Sequence, residues 1–111
     1  MGYTHYWKRK RDLTKEEFES LLCETKRVLE VAKVKGIGLI PDIGKDYVHI
    51  NPAEGPGETF FIPKGRMPFS FCKTNHLPYD DVVVTILYFC MEKLSFEVTT
   101  DGTAKSIRKV L

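Results

Sequence analysis

The chain has 111 residues, of which 42% are hydrophobic and 29% charged, and its formal net charge is +2 at pH 7. This length suits one globular domain with its own core, so we predict a single domain over residues 1–111. The small net charge argues against general nucleic-acid binding, which usually belongs to strongly basic domains. No apolar stretch approaches the roughly 20 residues that span a bilayer, so we expect no membrane partner.

The cysteines Cys23, Cys72 and Cys90 form no Cys-x-x-Cys pair, and their odd number argues against a disulfide framework. We predict free thiols, with Cys23 and Cys90 packed as small hydrophobes inside helical segments. The N-terminal segment holds basic residues but not the apolar stretch of a signal peptide. We therefore expect a cytoplasmic protein.

The opening segment Gly2-Tyr3-Thr4-His5-Tyr6-Trp7 is rich in aromatic residues in near-alternation, which is typical of a β-strand. Alternate side chains of a strand lie on opposite faces, which separates Tyr3, His5 and Trp7 from Thr4 and Tyr6. The basic run Lys8-Arg9-Lys10-Arg11 follows. We interpret it as a solvated strand end, with phosphate binding as the alternative.

A long amphipathic helix comes next. Thr14 and Glu17 have the spacing of a capping box, and Leu13 and Phe18 have that of a hydrophobic staple. Apolar residues then recur at helical intervals, and Gly36 supplies a left-handed stop. The pattern predicts a helix over residues 15–34 that lies on a sheet.

Short strands and turns occupy the middle of the chain. We predict strands over residues 37–40, 46–50 and 59–62, because Pro41-Asp42, Asn51-Pro52 and Pro63 each follow an apolar stretch. Residues 69–72 are expected to be extended, and residues 95–99 alternate as a last strand. Asp101-Gly102 predicts a turn, after which residues 103–111 form a short helix or a frayed tail.

The most apolar segment is Val82 to Met91. The propensity of its β-branched residues favours a strand, but the segment continues to Leu94, which is long for a buried strand. We predict a buried helix over about residues 80–94, with Asp80 as its N-cap and a staple between Tyr79 and Val84. The fold class is then α+β: a two-layer domain in which two helices cover a mainly antiparallel, short-stranded sheet.

The loop before this helix is the predicted binding site. A helix N-terminus carries partial positive charge and free N–H donors, and Lys73 and Thr74 could close over the same anion. Tyr79 offers a ring for stacking, whereas Asp80 and Asp81 would occupy those donors if they act as caps. The predicted ligand-binding residues are Thr4, His5, Tyr6, Trp7, Lys73, Thr74, Tyr79, Asp80 and Asp101.

Two other kinds of site are weaker. Cys72 with His5 or His76 supplies a thiol and a base but no family-specific signature of a nucleophilic cysteine. The histidines, cysteines and aspartates show none of the usual metal-ligand spacings, so we expect no metal and no cofactor. Asp80 and Asp81 are adjacent on a helix and point apart, which excludes a paired-carboxylate centre.

The chain resembles a group of small bacterial and bacteriophage proteins that open with the same Gly2-to-Trp7 hexapeptide. Members of this group also carry a Phe-Cys-Lys-Thr segment, a Pro-Tyr-Asp segment and a late Asp-Gly, matched here by residues 71–74, Pro78-Tyr79-Asp80 and Asp101-Gly102. The resemblance implies a fold shared along the whole chain and an origin in the bacterial cytoplasm, or in that of the host if the protein is phage-encoded. It implies no activity.

These observations favour a non-enzymatic protein that binds a nucleotide-like anion, such as a host immune signal that a phage would sequester as an anti-defence measure. One alternative is a protein–protein interaction module, such as a phage inhibitor that docks on a host protein through the strand edge Tyr3 to Trp7. Another is a small hydrolase or transferase that uses Cys72 and a histidine. Self-association into a homo-oligomer is left open.

Overall fold

The computed structural model describes residues 3–75, 77–102 and 107–111. In chain order, the elements are β1 (Thr4–Arg9), α1 (Lys15–Val34), β2 (Leu39–Ile43), β3 (Tyr47–Pro52), β4 (Phe60–Pro63), β5 (Met67–Lys73), α2 (Tyr79–Lys93) and β6 (Glu97–Thr100). The predicted α+β class, with two helices and antiparallel short strands, is confirmed.

The strands form two three-stranded antiparallel sheets, in the orders β5-β1-β6 and β2-β3-β4. β1 is the central strand of the first sheet, so strands from late in the chain enclose its first strand. The two sheets meet through the core, where the rings of Trp7 and Phe60 lie 5.1 Å apart.

Helix α1 begins and ends where the sequence predicts. Thr14 Oγ1 accepts a hydrogen bond from the Glu17 amide at 3.1 Å, and the Thr14 amide donates to Glu17 Oε1 at 2.9 Å. These two bonds complete the capping box and satisfy two amides that a helix start otherwise leaves without partners. Leu13 and Phe18 are both buried, and Gly36 has a φ of 76°.

Helix α2 is buried on nearly every side, as predicted, but Asp80 is not its N-cap. The cap position is Pro78, with a φ of −51° and no side-chain capping bond. Proline suits a helix start because its fixed φ is helical and its missing N–H would have no partner there. The staple proposed for Tyr79 and Val84 therefore does not apply, and Asp80 lies inside the first turn.

Several strand limits differ from the prediction. Pro41 lies within β2, paired opposite Ile50, since an edge strand tolerates the missing proline N–H. Asn51-Pro52 and Pro63 likewise lie inside β3 and β4 as their last residues. β6 begins at Glu97 rather than at Ser95, because Ser95 has a φ of 61° and belongs to the turn.

The end of the chain is docked on α2. The hydroxyl of Thr85 accepts hydrogen bonds from the amides of Val110 and Leu111, both at 3.1 Å, and Leu111 is buried. Residues 107–111 are thus neither helical nor frayed, while residues 103–106 of the predicted tail lie outside the described part of the chain.

Two expectations about burial are wrong. Cys23 is exposed, so it has no packing role in the core. Arg9 is 3% exposed, although it lies in the basic run expected to be solvated. Its guanidinium donates to the carbonyls of Pro63, Lys64 and Gly65 and lies 4.8 Å from the centre of the Phe96 ring. Arg9 therefore connects β1 to the turn between β4 and β5.

Among the described residues, neither helix is both long enough and apolar enough to cross a membrane.

Candidate functional site

Strand β1 separates the predicted site residues onto two faces of a sheet. Directly paired residues of antiparallel strands point to the same face, and neighbours along a strand point to opposite faces. His5 pairs with Cys72 and faces the core, whereas Thr4 pairs with Lys73 and Tyr6 with Phe71 on the outer face. The structure therefore places Lys73, which is exposed, on the face opposite to His5. These two residues do not share a pocket.

The inner group is a hydrogen-bonded network around His5, which is 0% exposed. His5 Nε2 lies 2.6 Å from Asp80 Oδ1, and His5 Nδ1 lies 2.8 Å from Thr100 Oγ1. Thr74 Oγ1 donates to the same Asp80 oxygen at 2.6 Å. The structure thus brings together three of the predicted residues, His5, Thr74 and Asp80, and adds Thr100, which the sequence analysis missed.

The start of α2 is poorly suited to an anion. Its amides at Asp80 and Asp81 already donate to the carbonyls of Leu77 and Pro78, at 2.7 and 3.1 Å. The side chain of Asp80 places a carboxylate at the same end of the helix, where it takes up the favourable field of the helix dipole. The amides of Asp80 and Asp81 are therefore already hydrogen-bonded, and the Asp80 carboxylate offsets the positive end of the helix dipole that would attract an anion.

Tyr79 and Trp7 are buried and are unavailable for stacking on a ligand. The Tyr79 hydroxyl donates to the carbonyls of Ile50 and Glu58, at 3.0 and 2.9 Å, and burial strongly raises the pKa of this phenol. Trp7 packs on Phe60 in the core. Both aromatics hold the two sheets and α2 together.

Cys72 is not arranged as a nucleophile. Its thiol donates to the Glu58 carbonyl at 3.2 Å and lies 3.8 Å from the Tyr79 hydroxyl. Burial raises the pKa of Cys72 to about 12, so the thiolate form is scarce at neutral pH. Both ring nitrogens of the neighbouring His5 already have other partners, and His76 lies outside the described residues.

No group of three or more histidine, cysteine, aspartate or glutamate side chains within the described ranges could hold a metal ion. A cavity of about 400 Å³ lies between the turn after α1 and the start of α2. Glu54 is the charged residue in its lining, and Tyr79 is its one predicted site residue.

The outer face of the β5-β1-β6 sheet carries an exposed aromatic group. Phe69 is 60% exposed and Phe71 52% exposed. The Phe69 ring lies 6.0 Å from the ring of Tyr6 and 6.2 Å from that of Phe71. We refer to Tyr6, Phe69 and Phe71 as the aromatic face. Its sequence signal is the alternation Phe69-Ser70-Phe71, which places both phenylalanines on one side of a strand.

Charges of both signs border the aromatic face. Lys8 pairs with Glu97 at 3.2 Å, and the Tyr6 hydroxyl donates to Asp101 Oδ1 at 3.2 Å. Desolvation and the bond to Asp101 raise the pKa of Tyr6. Lys73 extends from the same face, next to Thr4, whose amide donates to Asp101 Oδ2. Two lysines are thus balanced by two carboxylates.

The strand edge proposed for docking is not free. β1 is hydrogen-bonded to β5 on one side and to β6 on the other, from His5 to Trp7 in both ladders. A partner strand could not add to it, so docking through the edge of Tyr3 to Trp7 is excluded. The exposed aromatic side chains of this sheet lie on its outer face and not along an edge.

In comparisons with protein-family models, with curated proteins and with solved structures, nothing matches this chain.

Proposed function

We propose that this protein is an interaction module that docks on a partner protein through the aromatic face. The observation that carries the proposal is the exposure of Phe69 and Phe71 side by side on a regular sheet. Large aromatic rings left in water cost free energy that a partner recovers by covering them. Contiguous apolar surface with a polar rim is typical of protein-binding sites.

The charges around the aromatic face favour a protein over an anion. Lys8 is paired with Glu97, and Asp101 lies on the same side of the sheet as Lys73. Anion binding needs an excess of positive potential, which such a balanced rim does not provide. A protein partner instead needs an apolar centre and a rim that can exchange ion pairs and hydrogen bonds.

The partner we expect is a folded protein of the bacterial cytoplasm with an apolar patch of its own. This setting agrees with the bacterial or phage origin that the resemblance implies, and with a chain whose cysteines are all free. In a phage, such a module would act as an inhibitor of a host protein.

A nucleotide-like anion is the second candidate, and Lys73 is the observation that favours it. A base could stack on Phe71 while Lys73, two residues along the same strand face, contacts a phosphate. In this form of the hypothesis the ligand lies on the aromatic face and not at the start of α2. Sequestration of a signalling nucleotide would follow from tight binding there.

Photo-crosslinking tests the docking proposal. A benzophenone amino acid is placed at position 69 or 71, and at position 34 as the matched control, because Val34 is an apolar residue, 86% exposed, at the end of α1. In bacterial extract, both aromatic-face positions should crosslink the same protein and position 34 should not. Equal crosslinking from all three positions would contradict the proposal, and crosslinking to a second copy of the chain would replace it with self-association.

The affinity of the purified pair then separates the two candidates. For a protein partner, Phe71→Ser should weaken binding about tenfold or more, because central aromatic residues dominate interface energies, while Lys73→Ala has a small effect. For a nucleotide ligand, Lys73→Ala should remove most of the binding, and the affinity should fall steeply with salt. Unchanged affinity in Phe71→Ser would overturn both assignments to this face.

A further inference from the structure

A hydroxyl, an imidazole and a carboxylate are aligned where β1, β6 and α2 meet. Thr100 and His5 are direct cross-strand partners, with Oγ1 and Nδ1 at 2.8 Å. On the other side of the ring, His5 Nε2 lies 2.6 Å from Asp80 Oδ1. Thr100 lies in β6, His5 in β1 and Asp80 in α2. The two nitrogens of the His5 ring therefore make hydrogen bonds on opposite sides of the imidazole.

Asp80 sets the tautomer of His5. It lies in the first turn of α2, where the helix dipole favours an ionised carboxylate, and its Oδ1 also accepts the hydroxyl of Thr74. An ionised carboxylate only accepts hydrogen bonds, so the neutral His5 carries its hydrogen on Nε2. The lone pair of Nδ1 then accepts the hydroxyl hydrogen of Thr100.

The Thr100 hydroxyl is held in a fixed position on a residue that is partly exposed. The amide of Gly102 donates to Thr100 Oγ1 at 3.3 Å, which helps to hold this oxygen beside His5 Nδ1. Thr100 is partly exposed, whereas His5 is fully buried beneath the ring of Tyr3, whose centre is 4.9 Å from that of the imidazole. The base is therefore screened from water, while the residue that carries the hydroxyl lies at the surface of the protein.

We propose that Thr100 is a nucleophile for acyl transfer, with His5 as its general base and Asp80 as a positioning residue. A nucleophile bonded to a base that a third group orients is the common arrangement of activated hydroxyls. Thr100 Oγ1 bonds to the carbonyl carbon of an ester while its proton passes to His5 Nδ1. The tetrahedral intermediate then expels the leaving group of an activated ester as its anion, the proton remains on the imidazole beside Asp80, and Thr100 is acylated.

The substrate class is a small, activated ester, and p-nitrophenyl acetate is the probe. Released p-nitrophenol gives the rate, and peptide mass spectrometry locates the acetyl group. We expect acetylation at Thr100, and a loss of about a hundredfold or more in Thr100→Val, which keeps the side-chain shape and removes the hydroxyl. Thr99→Val is the matched control, since Thr99 is the exposed neighbour on the same strand. Release that is equally fast in Thr100→Val would overturn the proposal.

Two further variants separate catalysis from a structural role. Thr100→Ser keeps the hydroxyl and should be acetylated at least as fast as the wild-type protein; a folded but unlabelled Thr100→Ser would overturn the proposal.

Asp80→Asn should lower the rate of acetylation about tenfold or more and change its pH profile, because an amide no longer fixes the tautomer of His5. A purely structural Asp80 would alter the melting temperature but leave the pH profile as it is. His5 and its cross-strand partner Thr100 lie on the face opposite to the aromatic face, so this proposal is independent of the docking surface.

Discussion

His5 and Lys73 lie on opposite faces of one sheet, although their strands are hydrogen-bonded neighbours. His5 is paired with Cys72 and Thr4 with Lys73, so one step along either strand reverses the side of the sheet. Lys73 therefore belongs to the surface that carries Phe71, while His5 is enclosed with Asp80 and Thr100. The motif residues predicted to form one pocket thus lie on two opposite faces of the sheet.

Thr14→Ala should lower the free energy of unfolding by about 1 kcal/mol, because it removes the side-chain acceptor of the capping box. Urea denaturation measures the change. Ser20→Ala is the control, since Ser20 is an exposed residue within α1 and makes no cap. A loss of the same size in both variants would mean that the cap contributes nothing specific.

The stability of α1 should depend on pH through Glu17. The hydrogen bonds from the Arg11 side chain and the Thr14 amide lower the pKa of Glu17 from 4.5 to about 2. A carboxyl group with a lowered pKa in the folded state stabilises the fold above its unfolded pKa, and this contribution is lost as the pH falls towards the folded value. Between pH 4.5 and 2, the wild-type protein should therefore lose stability relative to Glu17→Gln. Parallel stability curves for the two proteins would contradict the pKa shift.

Val84→Asp should prevent folding or cost more than about 3 kcal/mol, because Val84 is 2% exposed and an aspartate there has no partner for its charge. Circular dichroism and solubility provide the measurement. Glu92→Asp, at an exposed position of the same helix, should remain folded. A soluble, cooperatively unfolding Val84→Asp protein would exclude a buried α2.

Arg9→Lys should destabilise the protein by about 2 kcal/mol, even though it keeps the charge. The guanidinium satisfies three carbonyls in the turn before β5, and an ammonium group cannot reach all of them in the same geometry. Arg66→Lys is the matched control, because Arg66 is exposed and the hydrogen bond that holds it to Asp12 comes from its backbone amide. Thermal unfolding of the two variants should differ clearly; equal melting temperatures would remove the structural role of Arg9.

The thiols should react in two classes. Under denaturing, non-reducing conditions, a thiol reagent should modify all three cysteines. In the native protein, Cys23 should react first, since it is exposed, while burial raises the pKa of both Cys72 and Cys90. Intact-mass spectra over time give the count. Rapid modification of more than one thiol in the native protein would show that the core opens easily.

The parts of the fold that depend on neighbouring residues could be predicted from the sequence. The capping box placed the start of α1 because Thr14 and Glu17 are three residues apart, and the length of the apolar segment identified α2 as a helix. The start of α2 could not be derived in the same way, since Pro78 and Asp80 are both good residues for a helix start and only the backbone decides between them.

The sites required information that is not local. Which face Lys73 occupies depends on the register between β1 and β5, and the bond between His5 and Thr100 joins residues 95 positions apart. No periodicity specifies such a pair. The aromatic face had a local signal in the alternation of Phe69 and Phe71, but an alternating strand does not reveal which of its faces remains uncovered.

The central position of β1 also determines when the protein can fold during synthesis. β1 leaves the ribosome before both of its partners, β5 and β6, and β6 follows the other described strands in the chain. Helix α1 and the β2-β3-β4 sheet can form from contiguous chain, but β1 must wait with unpaired backbone groups on both sides. Such an open strand is prone to pair with other chains, and non-local pairing is slow. The nascent chain is therefore most vulnerable to aggregation until Thr100 has emerged.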